Sequence, residues 1–151
     1  MAKFIYRMQN ILDIKYKLEE QAKQEYMAIR VRLNEEQRKL TVLEDRKEDY
    51  FGQYRTLLQE HLDVLEIETC KNAIILMDEY IRNQQLVVTQ VEKELDQAVH
   101  KMNEAMQERK IHEKLREKQF EVFLQELNKE ELKEIDQLIS YQYNHGEEQE
   151  E

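Results

Sequence analysis

Ten positions spaced alternately three and four residues apart constrain this chain more than anything else in it. They are Ile74, Met77, Ile81, Gln84, Val88, Val91, Leu95, Ala98, Met102 and Ala105, and nine of the ten are apolar. The residues between them are mostly charged or amide-bearing, as in Glu92-Lys93-Glu94 and Asp96-Gln97. This is heptad spacing, a helix with a narrow apolar seam. A two-in-seven stripe cannot wrap a globular core, so it needs a second helix carrying a similar stripe. Turn formers are almost missing: there is no Pro, and the two Gly are Gly52 and Gly146. Few elements can therefore be present.

The first half supplies a partner. Phe4, Met8, Ile11, Lys15 and Leu18 keep the heptad step; Ala22 and Tyr26 follow at successive steps of four, then Ile29 and Leu33. That repeated step of four reads as a stutter, which relaxes a left-handed supercoil locally. The seam continues through Glu36, Leu40, Leu43, Lys47, Tyr50, Tyr54, Leu57, His61 and Val64, with polar residues that cost stability but fix register. Residues 59–73, QEHLDVLEIETCKNA, are the one place where periodicity blurs. A reversal is expected there, built of one or two short helical turns, with Asp63, Thr69 and Asn72 as possible caps. The expected fold is all-α: an antiparallel two-helix coiled-coil hairpin over 1–145, with arms 4–58 and 74–140 and a disordered acidic tail at 146–151. Each arm of ~55–60 residues would be about 85–90 Å long. After Met102, the positions Met106, Ile111, Leu115, Phe120, Phe123, Leu124, Leu127, Ile135 and Leu138 follow no strict register.

Composition narrows the function. Charged residues make up 37% of the chain and the net charge is −10, a balance that disfavours nucleic acid as a partner. The charge is uneven: residues 1–30 and 101–119 are each +2, whereas 120–151 carry two basic and ten acidic groups. In a hairpin, the two basic stretches become neighbours. No apolar run is long enough for a membrane span, and MAKFIYRMQN has no signal-peptide pattern. Cys70 has no second Cys to pair with, which fits a reducing cytosol. No glycine-rich nucleotide loop can be built. The pairs His100–Glu104 and Glu108–His112 have i,i+4 spacing, but such pairs are ordinary helix-surface neighbours in a Glu-rich chain. No catalytic residue, metal site or cofactor is expected, and the chain reads as a non-enzyme.

The opening FIYRMQNILDIKYKLEEQAKQEY, residues 4–26, resembles the N-terminal segment of the FliJ family of flagellar export proteins. The matching residues are Phe4, Tyr6, Arg7, Met8, Gln9, Ile11, Leu12, Glu19, Glu20, Gln21 and Ala22. Residues 113–143 are similar to the closing segment of the family, in which a Glu–x–Lys–Glu–x–Asp pattern survives as Glu131, Lys133, Glu134 and Asp136. Leu132 stands where the family often has Gln. The resemblance implies a hairpin similar to the coiled-coil part of the central stalk of rotary ATPases. It also implies a cytosolic role at the type III export gate, peripheral to the inner membrane without inserting into it. The implied partners are the hexameric export ATPase FliI, the cytosolic domain of the gate protein FlhA, and export chaperones. Stalk proteins of injectisomes are similar, so flagellar and injectisome use both stay open.

The ATPase-facing end is expected to hold both termini: Phe4, Tyr6, Arg7, Ile11 and Lys15 on one arm, Phe120, Phe123, Leu127 and Lys133 on the other. Aromatics and Arg are the residue types that anchor interfaces. The resemblance places gate contacts toward the reversal, at Leu43, Tyr50, Met77, Tyr80 and Gln84, several of which also fall on the seam. A hairpin satisfies its seam within one chain, so a monomer is expected. The competing reading is a generic dimeric scaffolding coiled coil made of one continuous helix.

Overall fold

The computed structural model describes residues 2–60 and 63–148. Two helices account for nearly all of it: α1, Gln9–Glu60, and α2, Val64–Glu148, of 52 and 85 residues. They pack against each other as an all-α hairpin, with no strand among the described residues. Over 59–73, where short helical turns are expected at the reversal, the described residues are helical except Asp63. α1 runs to Glu60, and α2 is under way by Val64; His61 and Leu62 lie outside the described residues. Asp63 sets the start of α2. Its carboxylate accepts the Leu65 N–H at 3.1 Å and its carbonyl accepts the Ile67 N–H at 3.1 Å. That is an N-cap satisfying orphan donors of the first turn. Thr69, the alternative start signal, lies within the helix and donates to the Leu65 carbonyl. Gly52 sits inside α1 without ending it. At the other end, α2 extends to Glu148, so part of the expected 146–151 tail is helical; residues 149–151 lie outside the described residues.

Contacts divide the chain into two compact units, Glu20–Glu104 and Met1–Glu19 with Ala105–Glu151. In the Glu20–Glu104 unit, partners fall along α2 as positions rise along α1: Glu25 with Lys101, Arg32 with Glu94, Glu36 with Gln84, Lys47 with Asp78. The helices are therefore antiparallel. All ten of the α2 seam positions that opened the sequence reading are buried or half-buried, Val91 completely. Leu33, Val88 and Val91 form the centre of this core, with Ile29, Leu40 and Leu95 packed on it. A polar layer interrupts it. The Gln84 amide donates to both the backbone carbonyl and the carboxylate of Glu36, at 2.9 and 2.6 Å. This bond holds the Glu36 carboxyl below its ordinary range, with Lys39 adding to the effect.

In the other unit the helices are again antiparallel, as Lys15–Glu108 and Glu19–Arg109 show. Here the structure corrects the seam. Leu12 is buried and Ile11 exposed; Glu19 is buried and Leu18 exposed. The buried and half-buried positions Leu12, Lys15, Glu19, Ala22, Tyr26, Ile29 and Leu33 keep alternating steps of three and four. The stutter is absent. It arose from assigning the apolar Leu18 to a position that the charged Glu19 occupies. The same applies to α2, where Met102, Ala105, Arg109 and His112 continue the heptad while Ile111 and Leu115 point outward.

Candidate functional site

The Met1–Glu19/Ala105–Glu151 unit gathers most of the unusual chemistry. Its first described residues precede α1 and are not helical. They lie along α2, placing the Phe4 ring 5.1 Å from Phe120, edge-on, and 5.5 Å from Phe123. Edge and tilted geometries of this kind suit aromatic quadrupoles. Phe120 stays substantially exposed, and a groove of about 650 Å³ opens beside the trio, lined by Lys3, Ile5, Arg7, Val122 and Glu126 among others.

Next to the trio lies a polar network at core positions. Arg109 makes a forked contact to Glu19, with Nε donating at 2.6 Å and Nη2 at 3.2 Å, and its Nη1 donates to Glu113 at 3.0 Å. Tyr16 donates its hydroxyl proton to Glu113. Planar bidentate pairing of this kind fixes relative position as well as adding attraction. Donation from Tyr16, with further help from Arg109, holds the Glu113 carboxyl below its ordinary range against the cost of burial. The same bond pushes the Tyr16 hydroxyl up. Lys15 pairs with Glu108 at 3.4 Å, and His112 approaches the same carboxylate at 4.0 Å. That carboxylate therefore faces Lys15 of α1 and the His112 ring one turn along α2.

Of the residues expected at an ATPase-facing end, the structure brings Phe4, Phe120 and Phe123 together. Arg7 and Ile11 are exposed on the same unit, and Lys15 is engaged with Glu108. Tyr6 is buried at 6% exposure, so it serves the packing of the end and presents little surface. Leu127 and Lys133 lie farther along α2, where every described side chain from 128 to 146 is exposed. Of the gate positions, Met77 is buried in the seam and Gln84 is tied to Glu36. Leu43 and Tyr50 are half-buried, and the Tyr50 carbonyl accepts from Cys70 Sγ at 3.3 Å. Tyr80 alone among them is an exposed apolar anchor. Its exposed neighbours Leu76 and Val87 were missed; with Tyr80 they form a second apolar line at steps of four and seven, just off the seam.

Two long helices, antiparallel in each unit and packed along heptad positions, with an aromatic, ion-paired cluster in the Met1–Glu19/Ala105–Glu151 unit, define a helical coiled-coil protein. It belongs to the FliJ family: the family described as "Flagellar FliJ protein" matches residues 4–148. No curated protein and no solved structure matches the chain. Membership implies a role in flagellar export. Among the described residues, no helix is long and apolar enough to cross a membrane.

Proposed function

We propose that this chain is a non-enzymatic coupling factor of flagellar type III export, working at the cytoplasmic face of the inner membrane. Its aromatic end enters the ring of the hexameric ATPase FliI and promotes hexamer assembly and activity. The line Leu76–Tyr80–Val87 meets the cytosolic domain of FlhA, and the same hairpin assists turnover of export chaperones. One observation carries the ATPase reading. The Phe4–Phe120–Phe123 cluster is ordered by packing yet partly exposed, with Arg7 at its rim, which is the composition of an interface anchor. A single asymmetric shaft in a six-fold ring meets its subunits unequally, and such differential contacts shift their conformational populations.

The test is ATP hydrolysis by the matching ATPase with increasing amounts of this chain. The rate should rise together with the hexamer fraction. Phe120→Ser and Arg7→Glu should each abolish most of the stimulation, whereas Tyr80→Ala leaves it intact and weakens binding of the gate domain. An unchanged rate together with no co-sedimentation would sink the reading.

A further inference from the structure

The register of the Met1–Glu19/Ala105–Glu151 unit leaves a second apolar stripe outside the seam. Ile11, Ile14 and Leu18 on α1, and Ile111 and Leu115 on α2, are 38–54% exposed. Two contacts place them on one side. The Tyr16–Glu113 bond marks one flank of the seam, and the Lys15–Glu108 pair marks the other. Ile11 and Leu18 lie four residues before and three residues after Lys15; Ile111 and Leu115 lie three and seven residues after Glu108. Side chains at such steps share one face of a helix. Antiparallel pairing sets Ile11 about level with Leu115, and Ile14 about level with Ile111. The result is two aliphatic rows with a trough between them. An apolar flank beside the seam on both helices is the pattern of a bundle, whereas a two-helix coil needs the seam alone.

We propose that an amphipathic helix of a partner protein lies in this trough, its apolar stripe bordered by acidic side chains, and completes a three-helix bundle there. Charge selects this occupant. Within the two helices, the charged or titratable residues three or four positions from the five aliphatic side chains are Lys15, Lys17, Glu108, His112, Lys114 and Lys118. Glu108 is the one acid among them, and it already faces Lys15 and His112. Lys17 borders the trough on α1, and Lys114 and Lys118 border it on α2. All three are exposed, and none has an ion-pair partner among the described residues. The acidic residues of α2 from Glu126 onward are about 16 Å or more from Leu115 along the helix, beyond the ~8–10 Å reach of exposed charges at ordinary salt. Basic edges on both sides of an aliphatic trough attract a helix with acidic edges and repel one with basic edges. The two rows hold no aromatic side chain of the kind that anchors a helix at a lipid surface, which favours a partner helix over a membrane. The proposal does not rest on the ATPase reading, and its test contains no ATPase.

Two fluorescein-labelled synthetic helices of about 18 residues, roughly five turns, serve as probes. Both carry the same leucine stripe, bordered by Glu in one and by Lys in the other. Anisotropy titration with the full chain should show the Glu-bordered helix binding about tenfold tighter, the scale of a few rim ion pairs set against as many repulsions. Added salt should shrink that ratio. Ile14→Glu or Ile111→Glu should weaken binding of the Glu-bordered helix by about tenfold or more, since each sets a charge inside the trough. Helicity should be unchanged, because both side chains are already exposed. Lys114→Glu with Lys118→Glu should remove the preference between the two probes. Ile135→Glu, on the exposed stretch of α2 outside the trough, should leave binding as it is. Equal binding of both probes, or binding that ignores Ile14→Glu and Ile111→Glu, overturns the proposal, and so does a chain that binds neither. Flotation with phosphatidylglycerol vesicles that Ile14→Glu abolishes would assign the face to a lipid surface. A dimer in sedimentation equilibrium that Ile14→Glu splits would assign it to a second copy. Either result overturns the proposal as well.

Discussion

The two units are built from the same two helices in the same heptad register, but they are held together differently. In the Glu20–Glu104 unit the seam is mostly hydrocarbon: Leu33, Ile74, Met77, Ile81, Val88 and Val91 are all buried, and polar side chains enter it at Glu36–Gln84 and at the half-buried Lys47, which pairs with Asp78. In the other unit the corresponding positions carry Lys15, Glu19, Arg109 and His112, and the buried apolar side chains among the described residues are Tyr6 and Leu12. Burial stabilises without regard to direction. Forked ion pairs and ring contacts stabilise only in one geometry. The first unit is therefore the stiff shaft. The second is geometrically exact in its contacts but less deeply buried, the kind of region that opens first and exchanges partners.

The largest effects should come from the apolar cores and should separate the units. Leu33→Ala is expected to cost about 2–5 kcal/mol, the usual range for truncating a well-packed Leu. It should lower amide protection throughout Glu20–Glu104. Leu12→Ala, at 2% exposure, should cost a comparable amount but deplete protection chiefly in the Met1–Glu19/Ala105–Glu151 unit. Hydrogen exchange with urea unfolding reads both. If Leu12→Ala and Leu33→Ala deprotect the same amides, the chain unfolds as one cooperative body and the contrast collapses.

A smaller effect concerns the buried charges. Glu19→Leu leaves Arg109 without its main partner, and Arg109→Leu takes the forked contact from the buried Glu19 carboxylate. Each alone should lower the thermal midpoint by several degrees. The double replacement should recover most of the loss, because buried ion pairs often give way to apolar residues of similar volume without net cost. A double-mutant cycle read by thermal unfolding checks this. Two additive single losses would mean that the pair does not act as a unit, and that this end is held by the aromatic trio instead.

The contrast also explains what could be read in advance. The hairpin was legible because its α2 seam is apolar at nine of ten positions, so periodicity and burial agree. The register of the first unit was not, since a hydrophobic pattern has no way to favour Glu19 over Leu18. Only its partner makes a carboxylate acceptable in a core, and Arg109 lies 90 residues away. The signal available was spacing: Leu12, Lys15, Glu19 and Ala22 keep the alternation through two charged residues. Phe4, Phe120 and Phe123 were legible as an end cluster because their residue type is diagnostic. Tyr6, two residues from Phe4, was not, since its burial depends on how the non-helical first residues lie on α2. The N-cap at Asp63 competed with Thr69 on sequence alone, and hydrogen bonding to Leu65 and Ile67 decided it.

The smallest effect is a pH response confined to the polar end. Glu113 is held below its ordinary 4.5, first by the Tyr16 hydroxyl and then by Arg109. The stability it contributes is therefore present above pH 4.5 and lost as pH falls through its lower folded value. Tyr16 is pushed above its ordinary 10.0 by the same bond. Its contribution is present below pH 10.0 and lost as pH rises through the folded value. Tyr16→Phe removes both. The acid-side loss of stability should become shallower and begin nearer the ordinary carboxylate range, because Arg109 remains to hold Glu113. The alkaline-side loss due to this tyrosine should vanish. Both side chains belong to the Met1–Glu19/Ala105–Glu151 unit, so amide protection there should follow the change while Glu20–Glu104 does not. Thermal midpoints across the two titration ranges, compared between the wild type and Tyr16→Phe, measure the effect. Superimposable profiles would show that the Tyr16–Glu113 bond is not kept in solution, and that Arg109 alone ties Glu113 into the network.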